Sequence, residues 1–107
     1  MTEAFTLDEL AALIASRASA TADQSYTKSL LESGTARIAK KFGEEAFETV
    51  IAAVERDRAG LKMEAADALY HLLVLLQDGC VPLQDVIDEL ARRTRQSGHQ
   101  EKASRNR

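Results

Sequence analysis

The sequence is poor in the residues that build sheets, tight turns and disulfide frameworks. Its 107 residues include one proline, five glycines and one cysteine, and aromatic residues make up 5% of the chain. Strands favour aromatic and β-branched residues, and turns favour Gly and Pro, so this composition predicts an all-α fold. A chain of this length has room for one hydrophobic core and therefore for one domain.

The chain also lacks the features of a secreted or membrane-spanning protein. Its single cysteine, Cys80, has no intrachain partner for a disulfide, and we expect it to be a packed core thiol at the end of a helix. No apolar run approaches the ~20 residues that cross a bilayer. The N-terminal segment MTEAFTLDEL carries acids where a signal peptide carries bases. We therefore expect a cytoplasmic protein with no membrane partner.

An excess of basic residues is missing too. The formal net charge is −3, with 17 acidic and 14 basic side chains. Nucleic-acid binding needs a basic surface that displaces counterions from phosphates. The charge balance therefore argues against a nucleic-acid partner.

What the sequence does contain is helical periodicity along most of its length. The first helix begins at Thr6, which forms a capping box with Glu9. Residues 1–95 make up the predicted single helical domain, and residues 96–107 make up a polar, basic tail. The predicted helices cover residues 6–18, 28–32, 35–55, 60–79 and 83–95.

The stretch from Lys40 to Tyr70 holds two pairs of acids at helical spacing. Glu45 and Glu48 form the first pair, and Glu64 and Asp67 form the second. Acids three residues apart lie on one face of a helix, and a polar break at residues 55–58 predicts a turn between two helices. We expect the four acids to face each other and to hold a divalent metal.

This arrangement suits one kind of chemistry. Mg²⁺ prefers hard oxygen ligands and bridges carboxylates to phosphates. The pattern therefore predicts Mg²⁺-assisted attack of water on a phosphoanhydride. Arg37, Lys40 and Lys41 lie about one turn before the first acids, where they could hold the outer phosphates, and Glu44 could assist the metal or the attacking water.

Surface salt bridges are the alternative explanation of these acids. Glutamate pairs at this spacing are common on solvated helices. Glu64 and Asp67 argue against that explanation, because their helix is otherwise apolar and an unpaired buried carboxylate is costly. His71 lies one turn after Asp67. Three roles are open to it: it could contact a phosphate, orient a carboxylate, or be a core histidine with its hydrogen bonds satisfied. A di-iron bundle is disfavoured, because no histidine lies three residues after a glutamate.

Further segments resemble a known family. The two acid pairs, with fifteen residues between them, resemble the signature of the all-α, MazG-like nucleoside triphosphate pyrophosphohydrolases. Within that superfamily, nearly the whole chain resembles the phosphoribosyl-ATP pyrophosphohydrolases. The segments that carry the resemblance are SYT at 25–27, IAKKFGEE at 38–45, EAADALYHLL at 64–73, SG at 97–98 and EKASR at 101–105.

The resemblance implies an antiparallel bundle of four to five helices per chain, completed by dimerisation, and the second step of histidine biosynthesis. In that step phosphoribosyl-ATP is hydrolysed with Mg²⁺ between its α and β phosphates, giving phosphoribosyl-AMP and pyrophosphate. It also implies that Glu44, Glu45 and Glu48 take part in catalysis. Six further residues become weaker candidates for substrate contacts: Ser25, Tyr26, Thr27, Lys28, Lys102 and Arg105.

Two other functions stay open at this point. A house-cleaning pyrophosphatase would use the same acids on dUTP, dCTP or modified nucleotides. A non-catalytic helical dimerisation module would use them only in salt bridges. The SYT segment and the tail distinguish the first alternative from the phosphoribosyl-ATP enzyme, and a response to Mg²⁺ distinguishes the second.

Overall fold

The computed structural model describes residues 4–21 and 25–95, and within these ranges the chain forms five α-helices and no strand. The all-α prediction is therefore confirmed. No helix in the described ranges is both long and apolar enough to cross a membrane. The helices are α1 (Leu7–Arg17), α2 (Tyr26–Glu32), α3 (Thr35–Val54), α4 (Arg58–Asp78) and α5 (Leu83–Thr94).

Local sequence signals set most of the helix boundaries. The Thr6 hydroxyl accepts a hydrogen bond from the Glu9 amide at the start of α1, as the capping box predicts. Ser25 caps α2 in the same way, and Asp57 caps α4. Gly34 precedes α3 with φ +94°, a backbone conformation that favours glycine.

The two longest helices, α3 and α4, form a hairpin around the turn at residues 55–57. So short a connection makes the helices antiparallel neighbours. At the other end of the hairpin, the Thr35 hydroxyl donates a hydrogen bond of 2.6 Å to the Asp78 carboxylate. The hairpin therefore places the middle of α3 opposite the first half of α4.

A small core lies where four of the helices meet. Each fully buried aliphatic side chain stabilises the fold by about 1.5–3 kcal/mol. In the described part of the chain, α5 contributes no buried residue. The buried apolar cluster consists of Ile14 from α1, Leu30 from α2, Ile38 from α3, and Leu73 and Val74 from α4.

Two expectations need correction. Cys80 is exposed rather than packed in the core, because α4 ends at Asp78 and Cys80 lies in the following turn with φ 58°. The helix α2 begins at Tyr26 and not at residue 28. The polar composition of this segment suggested a loop, whereas packing against α4 supports a helix of two turns.

Candidate metal centre

Three acids of the α3–α4 hairpin come together. Glu45 and Glu48 lie on α3, and Glu64 lies opposite them on α4. One carboxylate oxygen of each residue lies within 4.8 Å of the others. Glu45 and Glu48 share a face of α3 because they are three residues apart, and the short turn to α4 brings Glu64 opposite them. We call this group the three-acid cluster.

The cluster is electrostatically unfavourable without a cation. The Oε2 atoms of Glu45 and Glu64 are buried and have no hydrogen-bond partner among the described residues. The adjoining Glu48 carboxyl, burial and the neighbouring Glu45 raise the pKa of Glu64 from 4.5 to about 7. Close carboxylates with unsatisfied oxygens are the donor set that a hard divalent cation such as Mg²⁺ prefers.

Asp67, the fourth predicted ligand, does not belong to the three-acid cluster in the described chain. It lies one turn after Glu64 on α4 and is exposed. Its backbone carbonyl accepts a hydrogen bond of 2.7 Å from the His71 ring. The structure thus brings three of the four predicted acids together and leaves the Asp67 side chain at the edge.

A groove of about 540 Å³ opens beside the cluster along α3. The groove is lined at successive turns of the helix by Lys40, Glu44 and Glu48. A basic side chain, an acidic side chain and a member of the three-acid cluster therefore lie in one row along α3. Gly43 also lines it, and a Cβ at this position would meet nothing within 4 Å. Gly43 is therefore compatible with an open groove, and no neighbour within residues 4–21 and 25–95 requires a glycine there.

The other predicted phosphate contacts are arranged differently. Arg37 is exposed and Lys41 is half-buried, and neither is among the described residues that line this groove. His71 is 6% exposed and lies on the core side of α4. Lys40 is therefore the predicted base that shares a surface with Glu44 and Glu48.

Three of the four candidate substrate residues at the start of α2 have structural roles in the chain. The Ser25 hydroxyl caps α2, and Thr27 is buried and shares a hydrogen bond with the Tyr70 hydroxyl. Lys28 donates a hydrogen bond of 2.7 Å to the Ala18 carbonyl. Tyr26 differs, because it is 57% exposed.

Tyr70 is a residue whose contacts the sequence analysis missed. Its ring lies against Tyr26 and His71, and its hydroxyl meets Thr27. The only signal was its place in the EAADALYHLL segment, beside His71. Lys102 and Arg105, the two candidates in the tail, lie outside the described residues.

Five helices with facing carboxylates on a helical hairpin are the arrangement expected of an all-α pyrophosphohydrolase of the MazG-like class. A family model described as phosphoribosyl-ATP pyrophosphohydrolase matches residues 7–94. The chain belongs to this family.

Individual relatives agree with the family model. A protein from Methylobacterium radiotolerans named phosphoribosyl-ATP pyrophosphatase is 59% identical over 102 residues, which cover 95% of each chain. Proteins of the same name from Rhizobium meliloti and Agrobacterium fabrum are each 56% identical. The aligned residues cover 94% of both chains in the first case and 95% in the second. The similarity therefore extends over the whole hairpin and its flanking helices.

Proposed function

We propose that this protein hydrolyses phosphoribosyl-ATP between its α and β phosphates, releasing phosphoribosyl-AMP and pyrophosphate, as the second step of histidine biosynthesis. The observation that carries the proposal is the three-acid cluster with its two unpartnered buried oxygens, in a chain of this family. We also propose that the enzyme acts in the cytoplasm.

The residues of the hairpin fit a magnesium site. Glu45, Glu48 and Glu64 would hold the ion, with Asp67 as a further ligand from the next turn of α4. When bound, Mg²⁺ would offset the charge of the phosphates and make water a better nucleophile.

The groove residues supply the remaining parts of the reaction. Lys40, which lines the groove, would bind the phosphates, and Arg37 and Lys41 would reach them from the first turns of the same helix. Glu44 also lines the groove and would position the attacking water. The pyrophosphate then leaves with its charge balanced by these bases.

We propose that the active form is a homodimer. Several large apolar side chains of α3 are exposed in the single chain, and two of them, Phe47 and Ile51, also line the groove. A chain this short gains stability from covering such a surface with a second copy. We call this surface the α3 strip; it comprises Phe47, Val50, Ile51 and Val54.

Conservative replacement of the acids tests the proposal. Glu48→Gln and Asp67→Asn each keep the shape of the side chain and remove its charge. We expect kcat/KM for pyrophosphate release from phosphoribosyl-ATP to fall by more than the roughly 10–100-fold that loss of an outer-shell partner of a metal costs, because these acids would contact the ion itself. Circular dichroism should show unchanged helix content.

Glu32→Gln is the matched control, because Glu32 is an exposed acid on α2 outside the cluster and the groove. Its activity should equal that of the unmodified protein. Full pyrophosphate release by Glu48→Gln or Asp67→Asn would overturn the assignment of these acids.

A further inference from the structure

The start of α2 meets the acid-bearing helix α4 in a cluster of rings. Tyr26 comes from the first turn of α2, and Tyr70 and His71 come from α4. The His71 ring is 5.1 Å from the Tyr70 ring and 6.4 Å from the Tyr26 ring, both nearly edge-on. Edge-to-face packing is a favourable arrangement of aromatic rings.

Both nitrogens of the His71 ring have partners in the chain. Nδ1 lies 2.7 Å from the backbone carbonyl oxygen of Asp67. A carbonyl only accepts hydrogen bonds, so Nδ1 must carry a proton and donate it. In the neutral ring Nε2 is then an acceptor, and the Tyr26 hydroxyl, 3.5 Å away, is placed to donate to it.

These contacts leave little room for a second role. His71 is 6% exposed, and a phosphate contact would need a free N–H directed at the ligand. In the tautomer that the contacts select, the only N–H of the neutral ring already points at the Asp67 carbonyl. Tyr26, by contrast, is 57% exposed and remains accessible to a ligand.

The position of the cluster links it to the acids. His71 follows Glu64 by seven residues, which is two helical turns or about 10 Å along α4. Asp67 lies between them, and its carbonyl is the group that holds His71. A second contact, the hydrogen bond between Thr27 and Tyr70, fixes the same turn of α2 to α4.

We propose that His71 is a positioning residue rather than a phosphate contact. Its Nδ1–H tautomer joins the Asp67 turn of α4 to Tyr26, and so holds the exposed Tyr26 ring and the start of α2 at a fixed place against α4, two helical turns from Glu64. The proposal deepens the function proposed above and depends on it for the catalytic consequence.

The tautomer is tested without any turnover. Long-range ¹H–¹⁵N correlation spectra of the full-length protein, recorded with the imidazole neutral, should show the His71 Nδ1 protonated and Nε2 unprotonated. The signals that disappear in the spectrum of His71→Asn are those of His71, and the signals that remain are those of His99, the other histidine. Tyr26→Phe should move the Nε2 resonance. A protonated Nε2, or no response to Tyr26→Phe, would overturn the proposal.

Kinetics of matched variants test the positioning. The amide of His71→Asn replaces Nδ1 as a donor but leaves Tyr26 without an acceptor, whereas the longer His71→Gln reaches the place of Nε2. We expect His71→Asn and Tyr26→Phe each to lower kcat/KM by about threefold to tenfold, the range of one hydrogen bond. His71→Gln should retain more of the activity than His71→Asn.

The double variant decides between the two roles of His71. If His71 acts through Tyr26, adding Tyr26→Phe to His71→Asn should cause no further loss. Losses that multiply, together with a rise in KM in both His71 variants, would identify a phosphate contact and overturn the proposal. A protein that fails to hydrolyse phosphoribosyl-ATP at all would contradict the proposed function, whereas the spectra would still report the tautomer.

Discussion

Glu64 shows how much a single residue of the site depends on its neighbours. The pattern Glu64-x-x-Asp67 on an apolar helix was enough to predict that this acid needs a partner, and the structure puts it beside Glu45 and Glu48. The pKa of about 7 could not be predicted, because it arises from contacts across two helices. The same limit applies to Asp67, whose spacing suits the cluster while its side chain is exposed.

The raised pKa of Glu64 has a consequence for stability. Between about pH 4.5 and pH 7 the folded, metal-free protein holds a proton that the unfolded chain has released, so the free energy of unfolding should fall as the pH rises across this interval. Thermal unfolding in EDTA should show a falling Tm for the unmodified protein. Glu64→Gln should flatten this part of the profile, whereas the exposed Glu32→Gln should leave it unchanged. Equal slopes for the unmodified protein and Glu64→Gln would contradict the assignment.

At the scale of elements, the sequence was most informative where residues at a helix boundary, such as a capping side chain or a polar turn, set the end of the helix. Thr6 and the turn after Val54 were predictable from capping and polarity, and α3 and α4 were found within three residues of their predicted starts and ends. The start of α2 was missed although Ser25 is a local cap, because the contacts of Tyr26 and Thr27 with His71 and Tyr70, more than forty residues away, support the helix in an otherwise polar segment. Long-range contacts of this kind leave no local pattern.

The α3 strip carries the prediction at this scale. Val50 is 59% exposed, so Val50→Lys should leave the fold of one chain intact. If a second copy covers the strip, the charge should weaken the dimer by burying an unpaired ammonium group. Sedimentation equilibrium should show a dimer for the unmodified protein and a shift toward an 11.7 kDa monomer for Val50→Lys.

Ala15→Lys on the exposed side of α1 is the matched control and should remain dimeric. A monomer for the unmodified protein, or an unchanged dimer for Val50→Lys, would contradict this use of the α3 strip.

At the scale of the whole molecule, composition predicted the all-α class, and the acid spacing predicted the hairpin and three members of its cluster. The substrate was beyond these patterns, since any phosphoanhydride would suit carboxylates and a metal. Residues outside the acids, including the SYT and IAKKFGEE segments, carried the family resemblance, and the match over residues 7–94 establishes the family. The groove beside the cluster was not predictable, because it forms from the packed shape of the chain.

The most direct test of the central claim is the hydrolysis of phosphoribosyl-ATP by the purified protein with Mg²⁺, compared with dUTP at equal concentration. Separation of the products should show phosphoribosyl-AMP and pyrophosphate, with kcat/KM for phosphoribosyl-ATP far above that for dUTP and no turnover in EDTA. Equal cleavage of dUTP, or release of single phosphate instead of pyrophosphate, would contradict the account.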